Sequence, residues 1–310
     1  MIRIPILSIA FVLFLQTNAQ DSSLLLEGKL ITLREVVVRK DLDVPGFVQR
    51  MKNDTSFYKA FKNLRILSFS AINDIRMLNR RGQSQATLRS KTRQQVVQNC
   101  RRTIVDAEEV SGDFYDSKGS YNYYTAALYA SLFFSKQPVC GEDNVVNGNR
   151  PDASGKTGMA KHREQLKMLF FNPGTRIPGI PLMGNKLEVL EAKAGTVYDY
   201  TVDLESFNGK DAFAFTLRRK QGLPAALHNK AVIEVMTTWF DPVDFTIRGR
   251  IYHMKYNAGV YDFDVQMEVH LEPFQHLLVP VLIRYTGNWD LPFKKRERGV
   301  FTATLFGFSQ

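Results

Sequence analysis

From Lys186 to the end of the chain, apolar and polar residues alternate through runs separated by short turns. A period of two over that length admits long antiparallel strands and little else. The clearest pair is Asp244 to Tyr256 and Val260 to Glu272, joined by Asn257-Ala258-Gly259. A three-residue loop with glycine in the left-handed position is a common hairpin connection. Setting Tyr256 opposite Val260 then brings Ile251 against Val265, Ile247 against Val269 and Phe245 against Leu271, all apolar. The other face carries Arg248 against Glu268 and Arg250 against Gln266, and His253 falls on the apolar face opposite Phe263. Leu277 to Ile283 (LLVPVLI) is apolar on both faces, with Pro280 requiring a bulge or an edge. A strand wet on neither side needs a cover, for which the nearest candidate is a helix over Met159 to Phe171.

The first half mixes elements. Leu30 to Arg39 (LITLREVVVR) is rich in β-branched residues and reads as a strand. Pro45 at a helix start, then Phe47, Val48, Met51, Phe57, Phe61 and Leu64 at helical spacing, predict one or two helices over 45–64. Strands follow, with turns at Asn79-Arg80-Arg81-Gly82 and Asp116-Ser117-Lys118-Gly119. The aromatics of Tyr121 to Phe134 favour a strand over a helix. Gly141 to Gly158 is the most polar, turn-rich stretch and predicts a long loop or subdomain boundary. Thr157 is placed to cap the helix that Asn172-Pro173-Gly174 would stop. The fold class is therefore mainly β (α+β): a large curved antiparallel sheet or open half-barrel with one or two covering helices.

Met1 to Ala19 has the basic start, the apolar stretch Ile4 to Leu15 and the small final residue of a secretory signal. Residues 20–29 read as a short leader and 30–310 as a single domain. No later apolar run reaches the ~18 residues of a spanning helix. In an oxidising compartment Cys100 and Cys140, the chain's 2 cysteines, are expected to pair. Closing that loop adds about 4 kcal/mol on the chain-entropy model, and two buried thiols are the alternative. The location this implies is the periplasm or outer membrane of a Gram-negative bacterium, or secretion beyond it.

The formal net charge of +10 is local. Residues 58–102 hold eleven cations against Asp74 alone. As a strand, Gln85 to Arg93 puts Thr87, Arg89, Lys91 and Arg93 on one face and Ala86, Leu88 and Ser90 on the other. With Arg80 and Arg81 these cations form a candidate surface for anionic head groups, lipopolysaccharide or acidic glycans. A solvated sheet edge is the plainer reading. Nucleic acid is not an expected partner of an exported chain.

Candidate chemistry is sparse. Asp262, Asp264, Glu268, His270 and Glu272 share one strand face, and carboxylates at i and i+2 lie roughly 7 Å apart, compatible with glycoside hydrolysis. Any amphipathic strand facing water shows the same row. No HExxH or GxSxG is present, and Gly155-Lys156-Thr157 lacks the earlier glycine of a phosphate-binding loop, since Arg150 stands there. No catalytic residue, metal or cofactor is expected. Trp239, Phe240, Trp289 and Phe293 offer large apolar surfaces for a core or for a ligand cavity.

Thr237-Thr238-Trp239-Phe240-Asp241 followed by Phe245-Thr246-Ile247-Arg248-Gly249-Arg250 resembles the lipoprotein-carrier (LolA-like) half-barrel superfamily over residues 187–290. The stretches at 54–65 and 287–299 resemble uncharacterised exported bacterial envelope proteins. The first resemblance implies a sheet lined with apolar residues, closed by helices, that holds a lipid or the acyl chain of a lipoprotein without catalysis. The competing readings are a ligand-free structural or protein-interaction component of the envelope, a glycan-active hydrolase, and an outer-membrane barrel. The leader reading is checked directly: N-terminal sequencing of exported protein is expected to begin at Gln20, and a mature chain retaining Met1 to Ala19 overturns it.

Overall fold

The computed structural model describes residues 23–26, 29–32, 44–134, 137–146, 170–171, 173, 194–224, 227, 231–257, 262–290 and 295–310. Residues 1–22, Phe293 and most of 147–193 lie outside them. Two units are present. In the first, β1 (Ser23–Leu26) and β2 (Lys29–Thr32) form an antiparallel hairpin.

The second unit is one open sheet of 11 strands. Its strands are β3 (Ser68–Leu78), β4 (Ser84–Val97), β5 (Cys100–Gly112), β6 (Val139–Cys140), β7 (Tyr198–Phe207), β8 (Lys210–Arg219), β9 (Ile233–Phe240), β10 (Ile247–Asn257), β11 (Asp262–Phe274), β12 (Leu277–Asp290) and β13 (Glu297–Ser309). The spatial order is β6-β5-β4-β3-β13-β12-β11-β10-β9-β8-β7, and every neighbouring pair is antiparallel. Two meanders, β3–β6 and β7–β13, are thus zipped together where β3 meets β13. The chain between β6 and β7 runs from one edge of the sheet to the other.

Short turns set the registers. Asn208 and Gly209 adopt φ of 51° and 76° between the paired residues Phe207 and Lys210, and Gln98 and Asn99 do the same between Val97 and Cys100. Two left-handed residues in succession twist a hairpin in the sense its strands require. The Cys100–Cys140 disulfide joins β5 to β6 at an S–S distance of 2.03 Å.

Three helices cover one face. α1 (Val44–Asn53) sets Phe47 among Phe213, Phe215, Phe240 and Phe245. α2 (Ser56–Asn63) follows after a two-residue bend and lies along β12, where Asn63 Nδ2 donates to Leu278 O at 2.8 Å. The apolar run Leu277 to Ile283 is therefore covered from α2's side, with Leu67 packed on Leu277 and Val279. Of the helix expected over Met159 to Phe171, only Phe170 and Phe171 fall among the described residues. As expected beside Pro280, the ladder shifts between His270 and Leu271.

α3 (Tyr124–Phe133) stands where the aromatics favoured a strand. Ala126, Ala127, Leu128 and Ala130 are strong helix formers, and Tyr129 and Phe133, four residues apart, put their rings on one face against β13. Its own sequence supplies no capping side chain. Instead Glu297, at the start of β13, accepts Tyr124 N and Thr125 N at 2.8 Å each and Thr125 Oγ1 at 2.5 Å.

The β10–β11 register differs from the expectation by three residues. Asn257 pairs with Asp262, so 258–261 form the connection, and Arg250 faces Val269, Tyr252 faces Met267 and Tyr256 faces Phe263. An odd shift exchanges the faces of one strand. Arg250 and Tyr252 turn inward and are buried, while Ile251 and His253 turn outward. Both alternations of β10 contain apolar residues, so the pattern alone chose the wrong one. Gly249 is required here, because a Cβ would meet the Phe207 ring at 2.4 Å.

Removing the borrowed cap tests this assembly. Glu297→Ala is expected to lower unfolding stability by about 1–2 kcal/mol, near the upper range for a helix cap. Glu297→Gln, which keeps an acceptor oxygen, should cost less in the same urea titration. Equal stability of both variants and the parent would show that α3 does not depend on β13 for its cap.

Candidate ligand-binding face

Alternation along the strands makes the two faces of the sheet chemically distinct. The inner face, beneath the helices, collects Phe69, Ile75, Met77, Leu88, Phe215, Met236, Phe240, Tyr252, Val265, Val269, Ile283, Tyr285, Trp289 and Phe301, all buried. Across it runs an unbroken series of ring contacts. Tyr256 meets Phe263 at 5.9 Å, Phe263 meets Trp289 at 5.1 Å, and Trp289 meets Phe170 at 6.0 Å. Phe170 meets Tyr285 at 5.5 Å, Tyr285 meets Tyr129 at 4.8 Å, and Tyr129 meets Phe301 at 5.1 Å. The series continues through Phe133, Phe171 and Phe61 to Phe57. Phe170 and Phe171 come from the connection that links the two sheet edges, and Tyr252 Oη donates to Phe170 O.

Arg250 lies at the Phe57 end of that series. It is 3% exposed, and its guanidinium carbon sits 4.2 Å from the Phe57 ring centre. Nε donates to Thr238 Oγ1 at 2.9 Å, and a terminal nitrogen approaches Met51 Sδ at 3.9 Å. Burial pushes its pKa down to about 10, with the Asp54 carboxylate opposing that shift, so the group stays charged at neutral pH. Burial also drives the Tyr252 hydroxyl well above its ordinary value. The same face has a polar end. Asn73 Nδ2 donates to Ser90 Oγ and Thr92 Oγ1, and Gln94 Nε2 donates to the carbonyls of Leu64 and Leu67. Asn73 Oδ1 is buried with no partner among the described residues.

The outer face is polar and dense with ion pairs. Thr87, Arg89, Lys91 and Arg93 do share it, opposite Ala86, Leu88 and Ser90. Arg89 is paired with Asp74 and Glu109, and Arg93 takes Asp106 through both Nε and a terminal nitrogen. The charge window of 58–102 stopped short of Asp106, Glu108 and Glu109, which β5 folds back beside β4. Arg80 and Arg81 occupy the exposed β3–β4 turn. The Arg80 carbonyl accepts Arg298 at 2.8 Å.

The carboxylates suggested for hydrolysis also face outward. Asp264 meets His253 at 2.7 Å and Lys255 at 3.9 Å, Asp262 meets Arg296 at 3.5 Å, and Glu268 is shared by His270 and Arg284. Among the described residues these carboxylates are held by basic groups along the outer surface of the sheet, the arrangement of a solvated strand face. An open recess of about 470 Å³ at the β8–β10 end is lined by Arg218, Arg219, Lys220, Glu234 and His253. Its Arg219 is held by Glu234 at 2.7 Å. Among the described residues no group of His, Cys, Asp and Glu is arranged to hold a metal ion.

Three of the four aromatics singled out in the sequence fall among the described residues. Phe240 and Trp289 are on the inner face; Phe293 lies outside the described residues. Trp239 points outward, stacked on Phe207 at 4.7 Å with its Nε1 donating to Glu205 at 3.0 Å. Arg250, Tyr129, Tyr285 and Phe170 were missed. The missed signal for Arg250 was the alternation Arg250, Tyr252, Met254, Tyr256, which places it with three large apolar residues.

No protein-family model and no curated protein matches the chain. Among solved structures it is similar to an outer membrane lipoprotein-sorting protein domain from Vibrio parahaemolyticus, at 9% identity and a TM-score of 0.27 over 86% of this chain and 90% of that one. A DUF1329 family protein from Desulfovibrio piger follows at 10% identity and TM-score 0.25, covering 82% and 93%. Lipovitellin matches at 10% identity and TM-score 0.24, with 78% of this chain spanning 25% of that one.

The outer-face pairs carry an acid response. Asp74 and Asp106 are held below the ordinary carboxylate value by Arg76 and Arg93, Asp241 by the Val243 backbone N–H and Arg248, and Glu268 by His270 and Arg284. A carboxyl depressed in the folded state stabilises it above the ordinary pKa and loses that contribution as pH falls through the folded value. The urea midpoint is therefore expected to drop as pH is lowered from about 4 towards 2. A midpoint that holds or rises over that interval would show that these pairs contribute nothing to folding.

Proposed function

We propose that this chain is a non-catalytic binder of an apolar or amphiphilic ligand, a lipid or a lipoprotein acyl chain, taken up on the inner face of its sheet in a bacterial envelope. One observation carries the reading: a continuous series of aromatic rings crosses the inner face, and what closes over it is a set of short segments from distant parts of the chain. α1, α2, α3 and the Phe170–Phe171 pair touch one another through ring contacts but add no strand to the sheet, so an apolar chain that displaces one leaves the strand ladder intact. The resemblance carried by Thr237 to Arg250 implies the same ligand class. The outer-face cations Arg89, Lys91 and Arg93, with Arg80 and Arg81, would orient the protein on anionic head groups only insofar as their acidic neighbours leave them charge to spare.

A second reading, a protein-interaction component of the envelope, draws on the edge of the sheet. Among the described residues β6 covers Cys100 and Arg101 alone, and Val105 to Gly112 are all exposed along β5. An uncovered strand offers its backbone to a partner strand, although Asp106, Glu108 and Glu109 and the irregularity at Asp106 are devices that discourage this.

The 2 tryptophans stand on opposite faces and make the test internal. Trp239→Phe leaves Trp289 as the sole reporter of the inner face, and Trp289→Phe leaves Trp239 for the outer face. Titration with a long-chain fatty acid is expected to shift the emission of the first variant and leave the second unchanged. Native mass spectrometry of protein from its own envelope should show a stoichiometric lipid that solvent extraction removes. An apo mass, with neither tryptophan responding, overturns the reading in favour of the second.

A further inference from the structure

Among the described residues Arg250 is the most deeply buried charge. Taking a guanidinium out of water costs several kcal/mol unless a counter-charge and hydrogen bonds replace its hydration. The compensation present is one hydrogen bond to a neutral hydroxyl, one sulfur contact, the face of Phe57 and the field of the Asp54 carboxylate. Among the described residues no carboxylate forms an ion pair with it. Asp54, at the α1–α2 bend, spends Oδ1 on the Ser56 N–H and hydroxyl. Five N–H donors in a planar fork match a carboxylate in two parallel hydrogen bonds, and among the described residues Thr238 Oγ1 is the one oxygen that takes a hydrogen bond from this fork. The group cannot shed its charge to relieve the cost, because a pKa near 10 keeps it protonated at neutral pH.

The surroundings give the missing partner its shape. Phe57, which stacks on Arg250, is also the last member of the ring series that runs through Phe61, Phe171 and Phe133 towards Trp289. A fixed cation at one end of an apolar track is complementary to a molecule with an acid at one end of an apolar tail. The plainer role, holding α1 and α2 on the sheet through Met51 and Phe57, would be served as well by a neutral apolar side chain, which makes the contacts without the desolvation cost.

We propose that Arg250 is the head-group anchor of the inner-face site, taking the carboxylate of a long-chain acid whose tail follows the rings, seated under the α1–α2 bend. This rests on the ligand-binding reading above and adds the class of head group to it. Seating the acid displaces part of the cover at Met51 and Phe57 and gives the guanidinium a full counter-charge.

The experiment compares dodecanoic acid with dodecanol at pH 7.5, where the acid is ionised and the two tails are identical. In the Trp239→Phe background the acid is expected to bind about tenfold or more tighter than the alcohol, the scale of a charge-assisted pair. Arg250→Met should erase that preference while leaving the alcohol's affinity within about twofold, and Arg250→Lys should retain part of it. Acetate, an acid without a tail, should not compete; competition by acetate would make this a site for free anions and overturn the proposal. Equal affinities for acid and alcohol in the parent remove the anchor and leave the carrier reading standing. Failure to bind either removes both. If Arg250→Met does not fold, the parent and Arg250→Lys still decide the matter.

Discussion

Eleven strands with a period of two present one long apolar face, and hiding that face from water is the constraint to which the other parts of the second unit answer. A sandwich would meet it with a second sheet, and a closed barrel by wrapping the face around itself. This chain does neither. Its cover is assembled from α1 and α2 upstream of the sheet, α3 between two strands, and Phe170–Phe171 from the connection between the edges. Each piece is too small to make a core alone and is held by a few specific contacts. Asn63 bonds a β12 carbonyl, Glu297 caps α3 from β13, and Tyr252 bonds the Phe170 carbonyl. The consequence is a division of labour. The strands carry the cooperative hydrogen-bonded stability, and the cover can change locally at lower cost.

Topology ties that cover to the sheet's two open edges. Because β3 pairs with β13, the first and last long strands meet in the middle, and β6 and β7 are left at opposite extremes. The chain between them includes Phe170 and Phe171. Phe170 and Phe171 show that the inner face is touched on the way. At the β6 end the path is fixed by the Cys100–Cys140 bond and by Glu142, which takes both Arg65 and Arg101. Beyond it Asn144 bonds Asn63 on α2. The disulfide therefore secures the start of the covering segment as well as a sheet edge.

Much of the architecture was legible because it depends on local periodicity. The helices over 45–64, the inward and outward residues of β4, the turns at Asn79 and Asp116 and the irregularity at Pro280 all follow from spacing or from proline and asparagine chemistry. What failed depended on contacts distant in sequence. Tyr124 to Phe133 is a helix whose cap arrives from Glu297, a residue that no local window includes. The charge of 58–102 was a property of the window, and the surface also contains Asp106 and Glu109 from the next strand. In β10, where Ile247 and Ile251 alternate with Tyr252 and Met254, the hydrophobic pattern is two-sided, and the register was decided by a longer turn than the glycine suggested.

The same misreading concealed the site. Turned outward, Arg250 would be one more cation on a surface of paired charges, of the kind that contributes little. Turned inward, it is a charge with a neutral hydrogen-bond partner, an aromatic neighbour and no carboxylate in contact. A folded chain with no use for the charge has an inexpensive remedy, since a methionine or leucine would fill the same volume and remove the desolvation penalty. The loss on that side is one hydrogen bond to the buried Thr238 hydroxyl. The proposed acid, an anion that arrives with its own apolar chain, would account for an arginine at the end of an otherwise apolar series of rings.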